Sequence, residues 1–103
     1  MRRGEVWWAE FPQPIGRRPV LLLSRDAAYD VRTSVTVAPL TGTIRSIPSE
    51  VRLGRREGLK KDCVANLDDL QTVPRSMLIE RLTTIPEEKM SQVAEAISFA
   101  LNL

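Results

Sequence analysis

The stretch GRRPVLLLS, residues 16–24, sets two arginines, Arg17 and Arg18, directly against an apolar run with the length and composition of a buried strand. Charges are not expected inside such a run. Pro19 resolves the conflict: a residue without a ladder donor suits the first position of a strand, and it pushes its predecessor toward an extended backbone. The strand is expected to begin at Pro19, with Arg18 held at its mouth.

Upstream, RGEVWWAEF (residues 3–11) is rich in aromatic and β-branched types, and FPQPIG then supplies two prolines and a glycine, so the order is strand then loop. Downstream, RDAAYDVR is long enough only for a turn or one helical turn, before TSVTVAPL resumes a β-rich pattern that ends at Pro39. SEVRL alternates strictly, with Ser49, Val51 and Leu53 on one side and Glu50 and Arg52 on the other. CVANL and LQTV add short strands. Turn signals separate all of these and no long helix intervenes, which points to a mainly β fold, a small barrel of about five to seven strands, rather than a parallel α/β sheet.

The period changes at the end. In TTIPEEKMSQVAEAISFALNL, the residues Met90, Val93, Ala94, Ile97, Ala100 and Leu101 recur at helical spacing. Thr84 and Glu87 have the separation of a capping box, Pro86 fits a first turn, and Glu87 and Glu88 suit the positive end of the helix dipole. A C-terminal helix of about four turns is predicted.

At 103 residues, with 43% hydrophobic and 27% charged side chains, the chain fits one domain spanning residues 1–103. No apolar run approaches the roughly 18 residues of a membrane span, and MRRGEVWW lacks the apolar middle of a signal peptide, so the expected location is cytoplasmic, with no membrane partner. The sequence has no histidine and a single cysteine, Cys63, within an apolar segment. Cys63 reads as a packed thiol, and neither a metal nor another cofactor is expected. The net charge of +2 hides an asymmetry: residues 1–61 carry twelve Lys and Arg against six Asp and Glu, whereas residues 62–103 carry three against seven. A basic surface for an anion is implied. The densest block, GRREGLKKD (residues 54–62), is either an exposed connection or a patch that contacts phosphate.

Two stretches have the makings of a phosphate site. Arg18, fixed by Pro19, offers a permanently charged fork of donors; the alternative is that Arg17 and Arg18 pair with surface carboxylates. In PLTGTIRSIP (residues 39–48), Thr41, Gly42, Thr43 and Arg45 bring hydroxyls, a small residue and a guanidinium to one strand end, although such turns are also common structural features. There is no GK[ST] phosphate loop, no HExxH and no cysteine ligand pair.

Taken in order, RGEVWWAEF, RRPVLLLS, VAPLTGTIRSIPSEVRL, GLKKDCVANLDDLQTV and the terminal helix resemble the MazF/PemK toxins of bacterial toxin–antitoxin systems, over nearly the whole chain. The resemblance implies an SH3-like or CcdB-like barrel acting as a homodimer. It implies a metal-independent endoribonuclease of the mRNA interferase type that cuts single-stranded RNA at a short sequence. Such an enzyme leaves a 2′,3′-cyclic phosphate and a 5′-hydroxyl, and an antitoxin protein neutralises it. Carried over onto this sequence, the catalytic pair falls on Arg18 and Thr41. Arg18 would stabilise charge on the phosphorane and stand ready to protonate the leaving 5′-oxygen, Thr41 would donate to a nonbridging oxygen, and the general base is unassigned.

RNA contacts fall on Gln13, Ile15 and Arg17 in the first loop, on Thr43 and Arg45, and on Asp68 and Asp69 of LDDLQ, whose carboxylates can accept from base amino groups. The carboxylates read equally as a solvated strand end. Of Trp7 and Trp8, which face opposite ways on a strand, at most one can reach RNA. The first loop is shorter than in the best-known members, and Asp69 stands where many have glutamine, so the recognised sequence does not transfer. Two rival readings are a non-catalytic, CcdB-like inhibitor of DNA gyrase and an RNA-binding barrel without turnover.

Overall fold

The computed structural model describes all 103 residues. Seven strands form it: β1 (Glu5–Glu10), β2 (Arg17–Leu22), β3 (Ser34–Thr41), β4 (Glu50–Leu53), β5 (Cys63–Asn66), β6 (Gln71–Pro74) and β7 (Leu78–Thr84). One helix, α1 (Glu87–Leu101), closes the chain. Every strand pair is antiparallel, in the order β4-β5-β3-β2-β1-β7, with β6 also paired to β3. The expectation of a mainly β chain ending in a helix is met, but the barrel is not closed: β4 and β7, at the two ends of the order, do not pair.

The alternation in SEVRL is realised, since Ser49, Val51 and Leu53 are buried while Arg52 is exposed. Val51 and Leu53 belong to a core of twelve side chains, among them Leu21, Leu40, Leu67 and Val93, that fills the space between sheet and helix. A second core of eight, built around Val20, Leu22, Val35, Val37 and Tyr29, packs on other side chains of the same strands. Two cores from one bent sheet follow from the strand period of two: neighbouring apolar residues such as Leu21 and Leu22 face opposite ways, and each face is covered.

Further expectations need correction. The sequence reading missed β7. Its pairing with β1 is interrupted by irregularities between Val6 and Trp7 and between Trp8 and Ala9, which destroy the alternation that would reveal it; only Leu78 is buried, and Ile79 and Leu82 are exposed. The helix begins without the capping box, because Thr84 is the last residue of β7 and Pro86 takes the cap position with no side-chain bond. The strand β2 starts at Arg17, so Pro19 is its third residue and not its first.

The helix rests on the sheet along a narrow stripe. Val93 and Ala96 are buried and Met90 and Ile97 pack partly against the core, whereas Ala94 and Leu101, expected on the apolar face, are exposed. Lys89 ties it further by donating to the Arg52 carbonyl at 3.0 Å. No helix is long and apolar enough to cross a membrane.

Candidate active site

Strand β3 is the hub that positions the site. Residues 37–39 pair with β2, residues 34–37 with β6 and residues 40–41 with β5. The ladder between β2 and β3 ends at Val20↔Pro39. Beyond it, Arg17, Arg18 and Pro19 keep only β1 as a neighbour, pairing with Glu10, Ala9 and Trp8. A proline is tolerated at position 19 because no second ladder needs its donor. The two strands therefore part, and a groove of about 510 Å³ opens between them, lined by twelve residues that include Phe11, Ile15, Arg18, Thr41, Arg45 and Asp69.

Arg18 is two residues before Val20, and Thr41 is two residues after Pro39. Antiparallel partners project to one face and every second residue repeats that face, so the interrupted register still aims both side chains into the same gap. Neither Arg17 nor Arg18 forms an ion pair, which removes the reading in which surface carboxylates hold them. Arg18 Nη1 donates to the neighbouring Arg17 carbonyl at 2.8 Å, leaving the rest of its five N–H donors free. The Thr41 hydroxyl oxygen accepts the Thr43 N–H at 3.2 Å, so its own hydrogen is free to donate into the groove. The charged lining is Arg18 and Arg45 against one carboxylate, Asp69. The result is a cationic groove, open to solvent, with guanidinium and hydroxyl donors contributed from both β2 and β3.

Asp69 reaches the groove because the sheet is broken beside it. Strands β5 and β6 both pair with β3, but in registers offset from one another, and residues 67–70 bridge the offset as a turn. The Asn66 side chain accepts the Asp68 N–H at 3.0 Å and its carbonyl accepts the Asp69 N–H at 3.3 Å, an Asx turn that absorbs the extra residues before the chain resumes the same direction as β6. This also explains residues the sequence reading missed. Asn66 and Gln71, the ends of the two strands, line the groove together with Phe11. Their one sequence signal is that they flank LDDL, which does not by itself reveal a broken sheet.

Of the expected contact residues, Ile15, Thr43, Arg45 and Asp69 line the groove with the pair, and Gln13, Arg17 and Asp68 do not. The Arg17 guanidinium lies over the Trp8 ring, 5.7 Å from its centre. Asp68 accepts the Ser49 hydroxyl, and Gln13 is exposed in the first loop. Trp7 packs against the second core and donates its indole N–H to Glu5 at 3.0 Å. Arg55 and Arg56 of the GRREGLKKD block are exposed, line a different groove beside α1 and take no part in this one. Burial, then the nearby Asp62 and Glu57 carboxylates, push the Cys63 thiol above its ordinary range, and its side chain packs against the larger core; both agree with a packed thiol.

Comparison with known proteins bears on this arrangement. Residues 2–101 match the family described as "PemK-like, MazF-like toxin of type II toxin-antitoxin system". Among curated proteins, "Probable endoribonuclease MazF5" of Mycobacterium tuberculosis is 40% identical over 101 residues, covering 97% of this chain and 92% of its own. Among solved structures, "Mycobacterium tuberculosis toxin MazF-mt6" superposes with a TM-score of 0.89 at 32% identity, over 96% of this chain and 97% of the other. An "Endoribonuclease in complex with its cognate antitoxin from Mycobacterial species" superposes with a TM-score of 0.88 at 27% identity, over 100% and 96% respectively.

Proposed function

Since the chain belongs to the PemK-like, MazF-like family of type II toxins, we propose that it is an endoribonuclease toxin whose active groove is the gap between β2 and β3, and that Arg18 and Thr41 are its catalytic residues. The observation that carries this reading is the shared groove, into which both residues project from the interrupted ladder.

The chemistry uses the RNA's own nucleophile. The 2′-oxygen attacks phosphorus, the P–O5′ bond breaks, and the 2′-hydroxyl proton passes through water to the departing 5′-oxygen, leaving a 2′,3′-cyclic phosphate and a 5′-hydroxyl. Negative charge accumulates on the phosphorane oxygens as the 2′-oxygen adds. The guanidinium of Arg18 stabilises it there and at the leaving oxygen, and the Thr41 hydroxyl donates to a nonbridging oxygen. A guanidinium keeps its proton in proteins, so Arg18 acts as a fixed charge and donor. No step requires a metal or other cofactor.

Asp69 accepts from a base amino group, while Ile15 and Phe11 offer apolar surface to base faces. Thr43 and Arg45 hold the phosphate that follows. Gln13 and Arg17 extend the contact to flanking nucleotides, and Asp68 supports the turn that presents Asp69. Residues 1–103 act as a single toxin domain, as a homodimer in the cytoplasm, on single-stranded RNA. The partner is a cognate antitoxin that covers the groove, as the relative solved with its own antitoxin suggests.

The test is a gel. Purified protein with excess chelator should cut an unstructured RNA and leave cyclic phosphate ends. Saturable binding with intact RNA would make it a binding module, and inhibition of DNA gyrase without RNA cleavage would make it the rival inhibitor.

A further inference from the structure

The loop between β3 and β4, residues 42–49, carries Thr43 and Arg45 into the groove, and its far end is tied down by Ser49, whose hydroxyl donates to Asp68 and whose carbonyl accepts the Leu67 N–H at 2.9 Å. Near its start the Thr43 N–H is taken by the Thr41 hydroxyl. In its middle, the Arg45 and Ser46 N–H groups are both taken by one oxygen of Glu50, at 2.9 and 3.1 Å. Ser46 has a φ of +56°, a left-handed conformation that costs a non-glycine residue energy and persists only where its surroundings impose it. Consecutive N–H groups turned inward by such a residue form a concave anion nest, and here the anion is the protein's own carboxylate.

Glu50 is the first residue of β4, paired with Asn66 of the groove wall. Its side chain is only 2% exposed, while that of Arg45 is 58% exposed. The second carboxylate oxygen, Glu50 Oε2, has no hydrogen-bond partner and lies 3.7 Å from Arg45 Nη1. A buried carboxylate with one unpaired oxygen is an expensive way to staple a loop, and a neutral acceptor would satisfy the same two N–H groups. What the charge adds is its field on the Arg45 guanidinium.

Resting on the reading of this groove as an RNA site, we propose that Glu50 is a positioning residue: its buried carboxylate fixes the β3–β4 loop and holds the Arg45 guanidinium at the groove for an RNA phosphate. Without that charge Arg45 samples many rotamers and must be ordered when RNA binds, which weakens binding while leaving Arg18 and Thr41 in place.

The decisive experiment is a double-mutant cycle on the purified full chain. Glu50→Gln keeps an acceptor for both N–H groups but sets an amide donor against Arg45. It should raise KM roughly tenfold with kcat within about twofold, and the penalty should vanish in an Arg45→Ala background. An unchanged KM, or the same penalty with Arg45 already removed, would overturn the proposal, because a purely structural role does not depend on Arg45. Amide hydrogen exchange supplies a readout without activity: the Arg45 and Ser46 amides should exchange at least about tenfold faster in Glu50→Ala than in the parent chain. If the parent protein cuts no RNA, the functional reading fails on its own, and exchange still judges the anchor, with unchanged protection in Glu50→Ala counting against it. Should Glu50→Ala not fold, Glu50→Asp, which draws the carboxylate back by one methylene, takes its place with the same expectation.

Discussion

Arg18 and Thr41 occupy opposite sides of an interrupted ladder, each two residues beyond the Val20↔Pro39 pair at which β2 and β3 cease to bond. Had the ladder continued, the two would have been cross-strand neighbours packed side by side. Because β3 turns to β5 at Leu40 and Thr41, the backbone opens while the side-chain register survives, and both residues line a groove instead of a sheet surface.

Removing either residue should therefore damage chemistry and spare the fold. Arg18 is exposed and Thr41 half-buried, and neither belongs to either core. Arg18→Ala and Thr41→Ala should each lower the cleavage rate roughly a hundredfold to a thousandfold, with melting temperatures close to the parent. Thr41→Ser keeps the donor and should retain most activity. Single-turnover cleavage of end-labelled RNA checks all three; normal rates in both alanine variants would move the active site elsewhere.

The two loop glycines near charged segments should behave oppositely. At Gly42 a methyl group would meet nothing within 4 Å, so Gly42→Ala should fold and melt normally, and the groove does not depend on a glycine there. Gly58 has a φ of +87°, and an added Cβ would stand 2.5 Å from the Thr83 hydroxyl, which itself donates to the Glu57 carbonyl at 2.8 Å. Gly58→Ala should cost about 1–3 kcal/mol in denaturant unfolding.

Acid should destabilise the protein partly through Glu5. Burial pushes this carboxyl up, but the Trp7 indole, the Arg2 N–H, the chain's amino terminus and Arg81 outweigh it and hold the group below its ordinary value. A carboxyl depressed in the folded state adds stability above its unfolded pKa and loses it as pH falls through the folded one. Glu5→Gln should thus be less stable than the parent at neutral pH, with the gap narrowing below about pH 4. Urea midpoints across that range provide the measurement, and a constant gap would exclude this linkage.

On the alkaline side the corresponding group is Tyr29. Burial first, and then the Asp26 carboxylate, push its phenol up to about 12, and the hydroxyl lies beside the Ser24 backbone without a hydrogen bond. The unfolded chain ionises near pH 10 while the folded one holds its proton, so stability present below pH 10 is lost between about pH 10 and 12. Tyr29→Phe should match or exceed the parent at pH 7, since no bond is lost, and should not show this alkaline decline, which is on the order of 1–2 kcal/mol. Thermal melts at pH 8 and pH 11 compare the two.

Much of the fold was legible because it rests on local pattern. The alternation of Ser49, Val51 and Leu53, the Pro and Gly punctuation of the first loop and the helical spacing of Met90, Val93 and Ile97 are each settled within a few residues. β7 was not legible, since two irregularities against β1 scramble its alternation, and the helix start was misread because Thr84 was claimed by that same strand. The site divides in the same way. Arg18, Thr41, Thr43 and Arg45 carry chemistry visible in their types and in the family resemblance, whereas Asn66, Gln71 and the anchoring role of Glu50 appear only once the strands are paired.

The sequence by itself determined that the chain is mainly β with a terminal helix, that it has no histidine for catalysis and that its basic residues gather in the first two thirds of its length. Those are properties of composition and short-range period. Tertiary structure alone decided that β3 changes partner at Leu40, that β5 and β6 meet it out of step, and that the sheet stays open. Register between distant strands is a choice among pairings that local pattern leaves nearly equal in energy, and packing of the two cores selects among them.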